Sequence, residues 1–218
     1  MAQGHRMSND LQIRSFLKRL RLPVVAQNYS RLAEEAAANN QTFQDYLFAL
    51  LEGEVIQRED HAQKLRLLRA LFPVIKSLDN FDFSAIPSAN KAPILELSRS
   101  TFIDRRENVI LIGSYGTDKT HLAISLAAST CRQGKKVRFY TVAGLINELL
   151  EAGSKLKLGK LESALAKCDL ILLDELGFVP FGKEGAEALF TFCSSRYERS
   201  SLIITTNLDF ARWKEIFN

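Results

Sequence analysis

The sequence predicts an α/β fold: a parallel sheet flanked by helices and carrying a phosphate-binding loop, preceded by an all-helical appendage. Three observations predict it. From Asn108 onward, short apolar runs alternate with helical patterns, the signature of βα units. Residues 108–121 read as an apolar strand, a Gly-containing loop and Lys-Thr opening a helix. Before residue 72, helical periodicity runs on with few Gly or Pro. The chain thus divides into a helical N-terminal domain over residues 1–72, a connector over 73–107 and a nucleotide-binding domain over 108–218.

In the helical part, Ser8-Asn9-Asp10 offers N-cap chemistry, and Ile13, Phe16, Leu17 and Leu20 follow at amphipathic spacing. Arg14, Lys18 and Arg21 repeat at i, i+4 and i+7 on another face, a pattern that suits either DNA phosphates or plain solvation. Pro23 punctuates, and a second helix is expected over Val24–Ala38, ending at Asn39-Asn40. Thr42-Phe43-Gln44-Asp45 resembles a capping box that opens a third helix, with Gly53 a weak point near its middle. Leu65, Leu67, Leu68 and Leu71 continue the helical pattern as far as Phe72-Pro73. The connector holds Pro73, Pro87 and Pro93 among polar residues, with a short helix expected around 93–100. Its Phe81 and Phe83 either pack onto the following domain or flank a nucleotide base.

In the α/β part, strands are expected at Val109–Ile112, Val137–Tyr140, Leu170–Leu173 and Leu202–Thr206. The intervening helices are expected at Lys119–Arg132, Ala143–Glu151, Leu161–Lys167 and Glu184–Glu198, with residues 153–160 a basic loop.

Composition narrows the function. A net charge of +4 is concentrated in the N-terminal arm, where Arg6, Arg14, Lys18, Arg19 and Arg21 face only Asp10, and such an excess hints at a polyanion partner. No apolar run is long enough to span a bilayer and the N-terminus has no apolar signal core, so a cytoplasmic protein is expected. Cys131, Cys168 and Cys193 lack metal-ligand spacing and read as reduced thiols.

The chemistry sits in three pieces. Gly113, Ser114, Tyr115, Gly116, Thr117, Asp118, Lys119 and Thr120 form a phosphate loop with His121 behind it: backbone N–H groups cradle an anion, Lys119 reaches the outer phosphates of ATP, and the Thr120 hydroxyl ligates Mg²⁺. In Asp169–Glu175, four apolar residues end in two carboxylates. Asp174 is placed to hold Mg²⁺ through water, and Glu175 to polarise the attacking water. The strand ending Thr205-Thr206-Asn207 supplies a polar tip, Asn207, as a nucleotide sensor; a turn-forming Asn is the plain alternative. The Asp-Glu pair argues for hydrolysis and against transfer to a small acceptor.

Together these segments resemble the IstB family, the AAA+ ATP-binding helpers of IstA/IstB-type insertion sequences, which are related to the DnaC helicase loaders. The likeness rests on the loop from Gly113 to Ala123, on Ile171–Gly177, and on Arg196–Leu208. It extends to Leu32–Ala38, Leu50–Glu54 and Phe72–Lys76 in the helical part. The resemblance implies a transposition helper: ATP-bound protomers assemble as a homo-oligomer on double-stranded DNA and stimulate an IstA-type transposase. It casts Glu175 and Asn207 as catalytic, Thr120 and Asp174 as the Mg²⁺ pair, and Lys155, Lys157 and Lys160 as DNA contacts or a solvated loop. Two alternatives share the motif set, a DNA-binding module that makes no use of nucleotide and a helicase loader active in DNA replication.

Two departures from the family are visible. The glycine expected before the loop lysine is Asp118, whose bulk and charge beside a polyanion should weaken binding; about 3 kcal/mol would be roughly a hundredfold. The sequence given stops at Asn218, soon after the sensor strand, whereas the family pattern continues with a further strand and a lid carrying an arginine finger. Arg212 fits neither missing arginine role. The expectation is a truncated or decayed copy with weak ATPase activity.

Overall fold

The structure is a computed structural model that describes residues 2–83, 91–178 and 181–217. The chain forms two compact units, Met1–Lys64 and Leu65–Asn218.

The first unit is helical. Helix α1 spans Ala2–Leu20, α2 spans Pro23–Ala38, and α3 runs from Phe43 to Ala70, its last turns belonging to the second unit. The box at Thr42 forms as expected: Asp45 N–H donates to Thr42 Oγ1 at 3.1 Å, and Thr42 N–H donates to Asp45 Oδ2 at 3.1 Å. Gly53 does not interrupt α3. A Cβ there would stand 3.5 Å from Val24 Cγ1, an ordinary packing distance, so the site has room for a side chain. The next residue explains the rest of that motif. Glu54 is 3% exposed and accepts from the N–H groups of Val24 (2.9 Å) and Val25 (3.3 Å). It caps α2 from a neighbouring helix, because Leu22 at the N-cap offers no side-chain acceptor.

The second unit carries the sheet. Strands β1 (Val109–Ile112), β2 (Val137–Thr141), β3 (Leu170–Leu176) and β4 (Ser201–Thr206) are parallel, in the order β1-β4-β3-β2. Helices α6 (Lys119–Arg132), α7 (Val142–Ser154), α8 (Leu158–Leu165) and α9 (Lys183–Arg196) connect them, after α4 (Lys91–Ser98) and α5 (Thr101–Asp104); α10 (Lys214–Phe217) follows β4. Alternation along the strands builds two cores. Val109, Leu170, Leu172 and Ile203 pack with α6 and with Phe81, Ile94 and Phe102, whereas Ile171, Leu173, Leu202 and Ile204 pack with α7, α8 and α9. Burial on both faces is why these strands read as unbroken apolar runs.

Several expectations are corrected. The connector holds a 3-10 turn at Leu78–Asn80 and two helices where one was expected; Ser100, left-handed at φ 58°, separates them. Residues 84–90, Pro87 among them, lie outside the described residues. Phe81 is buried in the sheet core and Phe83 packs edge-on against it at 5.0 Å, which favours packing over a base contact. The basic loop shrinks to residues 155–157, because α7 reaches Ser154 and α8 starts at Leu158. Strand β3 continues through both carboxylates to Leu176, three residues beyond the end of its apolar run at Leu173.

Candidate functional site

Parallel topology brings the carboxyl ends of β1, β4 and β3 side by side, the edge where α/β sheets bind ligands. The loop after β1 is tied to that edge by Gly113 N–H, which donates to Thr206 O at 3.2 Å. A Cβ on Gly113 would lie 3.0 Å from Thr117 Oγ1, a tight contact that would push the hydroxyl by a few tenths of an ångström, and 3.5 Å from Lys119 Cδ. Gly116 turns the chain at φ 72°. Asp118 then takes φ 51°, ψ 23° as the N-cap of α6, and its side chain makes no capping bond. This is the left-handed region in which glycine costs nothing, and Asp is one of the few other residues that visit it. The Asp118 side chain is exposed.

Lys119 lies across the loop. Its ammonium donates to Ser114 O at 2.5 Å and to Thr117 Oγ1 at 3.1 Å. Burial lowers its pKa and the nearby Asp174 charge works the other way. Thr120 Oγ1 donates to Asp174 Oδ1 at 2.8 Å, joining the first turn of α6 to the end of β3. Asp174 is 4% exposed, and its Oδ1 also accepts from Thr205 Oγ1 on β4. Thr205 Oγ1 in turn accepts from Glu175 N–H at 3.0 Å.

The carboxylate pair sits on a bulge. Between the pairs Leu173↔Ile204 and Leu176↔Thr206, β3 advances three residues against two of β4. Glu175 takes up the excess with φ 66°, and its side chain is exposed while that of Asp174 is buried. The two neighbouring carboxylates thus have different surroundings, one held by hydroxyls and one open to water.

An Mg²⁺ ion fits this donor set. Such an ion commonly takes one or two protein ligands and fills its shell with water and phosphate oxygens. Thr120 and Asp174 meet that need, and among the described residues no cluster of three or more acidic, His or Cys side chains offers a protein cage.

The remaining sequence-predicted residues fall as follows. Asn207 directly follows β4, beside the loop anchor at Thr206. Tyr115 packs edge-on against Phe178, at 6.0 Å, across the loop after β3. His121 packs edge-on against Phe81 at 5.2 Å, and its buried Nε2 has no hydrogen-bond partner among the described residues.

The basic candidates fall in two groups, Arg14, Lys18 and Arg21 in the first unit and Lys155, Lys157 and Lys160 in the second. Arg14 donates to Asp10 at 2.9 Å and its guanidinium lies 5.8 Å from the Tyr29 ring centroid, so its charge is locally matched. Lys18 is exposed on α1. Arg21 lies past the helix end with φ 57°, and the Arg58 guanidinium holds its carbonyl. Lys155 pairs with Glu151, and Lys155, Lys157 and Lys160 line one groove with Glu148 and Glu151. Thr205 is the residue that sequence reasoning missed, since a Thr inside a strand carries no signal of its own.

The family profile described as IstB-like ATP binding protein matches residues 15–218. A protein of insertion sequence IS5376 from Geobacillus stearothermophilus, named as ATP-binding, is 36% identical over 94% of this chain and 82% of its own length. A counterpart in insertion sequence IS21 of Pseudomonas aeruginosa is 33% identical over 94% of this chain and 78% of its own length. Among solved structures, the DnaC helicase loader superposes with a TM-score of 0.56 at 20% identity, covering 65% of this chain and 86% of that one. Domain III of the replication initiation protein DnaA from Thermotoga maritima gives a TM-score of 0.54 at 20% identity, over 61% of this chain and 56% of that one. The fold is therefore that of AAA+ P-loop proteins, and by sequence across nearly its whole length the chain belongs to the IstB-like ATP-binding proteins of insertion sequences.

Proposed function

We propose that this protein binds ATP with Mg²⁺ at the loop between β1 and α6 and acts on double-stranded DNA, as a homo-oligomer, in support of an IstA-type transposase. The observation that carries the nucleotide part is the Thr120–Asp174 hydrogen bond, which joins loop and carboxylate strand at one point. Lys119 exchanges its bonds to Ser114 and Thr117 for the outer phosphates, and loop N–H groups hold the inner ones. Mg²⁺, when bound with the nucleotide, supplies positive charge to the phosphate oxygens. Thr120 and Asp174 are the groups that hold it. Glu175 accepts a proton from the attacking water as the water oxygen bonds to the γ-phosphorus; the bond from that phosphorus to the bridging oxygen breaks, ADP leaves with the electron pair, and phosphate is formed, with Asn207 orienting the water. Membership of an insertion-sequence family supports the transposase partner. No helix among the described residues is long and apolar enough to cross a membrane.

One observation favours a second reading, DNA binding that makes little use of nucleotide: Asp118 occupies the left-handed position where the loop motif has glycine. One experiment separates the two. Duplex DNA binding is titrated at several salt concentrations with and without ATP–Mg²⁺, for the wild type and Lys119→Ala. The proposal expects ATP to strengthen wild-type binding and to leave Lys119→Ala unaffected, with a negative salt slope in both. Equal DNA binding with and without ATP in both proteins selects the second reading. Capture of a replicative helicase instead of an IstA-type transposase by the purified protein overturns the partner assignment.

A further inference from the structure

We propose that Thr205 is the positioning residue of the carboxylate pair, holding Asp174 toward the cation and Glu175 toward water through a single hydroxyl. The inference rests on the nucleotide reading above. Thr205 is 2% exposed and stands on the strand between the loop strand β1 and the carboxylate strand β3. Its Oγ1 donates to Asp174 Oδ1 and accepts from Glu175 N–H at 3.0 Å. The donated bond meets the one from Thr120 on the same oxygen. No hydrogen bond reaches Asp174 Oδ2 among the described residues, so the second oxygen is the one left to face a cation. The accepted bond acts on the backbone. The bulge displaces the Glu175 N–H from the regular ladder, and a buried N–H without a partner is costly. Thr205 satisfies it and so fixes the left-handed turn at φ 66° that sends the Glu175 side chain outward. A valine at this position fills the same space and offers neither bond.

Binding of a fluorescent ATP analogue tests this, measured with Mg²⁺ and with EDTA on the full chain. Thr205→Val, Thr205→Ala and Thr205→Ser are compared, each also in an Asp118→Gly background, the variant expected to raise the basal signal. Loss of a hydroxyl that orients a metal-holding carboxylate weakens metal-dependent affinity by roughly tenfold to a hundredfold. Thr205→Val and Thr205→Ala are expected to lose that Mg²⁺-dependent gain and to keep the affinity seen in EDTA, whereas Thr205→Ser retains both. Thr205→Ala repeats the hydroxyl deletion with less bulk, so a packing clash of the Val methyl does not decide the result. A full Mg²⁺-dependent gain in Thr205→Val or Thr205→Ala overturns the inference. So does a Thr205→Ser protein as impaired as Thr205→Val, since packing is then the cause, or an equal loss in EDTA. If Asp118→Gly with Thr205 intact binds no nucleotide under either condition, the nucleotide reading fails and takes the inference with it.

Discussion

Replacing Asp118 with glycine perturbs two separable terms. The first is conformational. Asp118 sits at φ 51°, ψ 23°, where an L-residue loses roughly 1–2 kcal/mol and Asp stands near the low end. Glycine removes that strain but adds freedom to the unfolded chain, so the net gain in stability is at most about 1 kcal/mol. The second term is charge. The exposed carboxylate has a solvent-like dielectric around it, where two unit charges about 4 Å apart repel by about 1 kcal/mol. Two phosphate charges at that distance would sum to about 2 kcal/mol, or roughly thirtyfold in affinity. Exposure thus makes the weakening smaller than the hundredfold expected from sequence. Titration of ATP into the wild type, Asp118→Asn and Asp118→Gly separates the terms. Asparagine tolerates the left-handed backbone and carries no charge, so it should recover most of the gain. The difference from wild type should shrink as salt is raised. If Asp118→Asn binds like the wild type while Asp118→Gly improves, bulk and not charge is the defect. If all three bind alike, Asp118 is no defect at all.

Other consequences can be measured on the same protein. Glu54→Ala leaves the N–H groups of Val24 and Val25 without their acceptor and removes the partner of Arg58 at 3.0 Å. Urea unfolding should show a loss of about 2–4 kcal/mol, and a change below 0.5 kcal/mol would mean that water caps α2 equally well. Burial pushes the thiols of Cys131 and Cys193 up to about 11. The folded state therefore binds more protons than the unfolded chain above pH 9, and stability falls as pH rises from about 9 toward 11, by at most about 2 kcal/mol per thiol. Thermal unfolding of Cys193→Ala should fall less steeply over that range; an unchanged slope refutes the assignment.

Most of the fold was legible because both faces of the sheet are covered. Burial on both sides makes Leu170–Leu173 and Ser201–Thr206 apolar or small throughout, and such runs stand out between helical patterns. Where surroundings set an element's limits, the reading slipped. Gly159 and Lys160 look like loop residues, yet α8 begins at Leu158, with its apolar positions Leu161 and Leu165 packing on the α7 side of the sheet. Glu54 reads as one more polar residue of α3; its acceptor role lies 30 and 29 positions away, at the N–H groups of Val24 and Val25. No local pattern reports a contact of that kind.

The site shows the same division between what a local pattern reports and what only a tertiary contact reveals. Lys119, Thr120, Asp174 and Glu175 announce themselves, because each is a polar residue placed directly after an apolar run or at a helix start. Thr205 does not, since threonine is an ordinary strand residue. Its role depends on strand order. With β4 between β1 and β3, period-2 alternation puts Thr205 on the Ile203 face and Asp174 on the Leu172 face, which are the same face, the one covered by α6. Thr120, at the start of α6, then meets both on one carboxylate oxygen. By the same alternation Glu175 would turn toward α7 and α9, into the second core. The extra residue of the bulge and the left-handed backbone at Glu175 cancel that turn and leave the carboxylate in water. A buried charge on that side would have cost several kcal/mol without a partner. The fold thus separates two adjacent carboxylates by a single backbone irregularity, and the strand that holds the irregularity in place is the one whose tip carries Asn207.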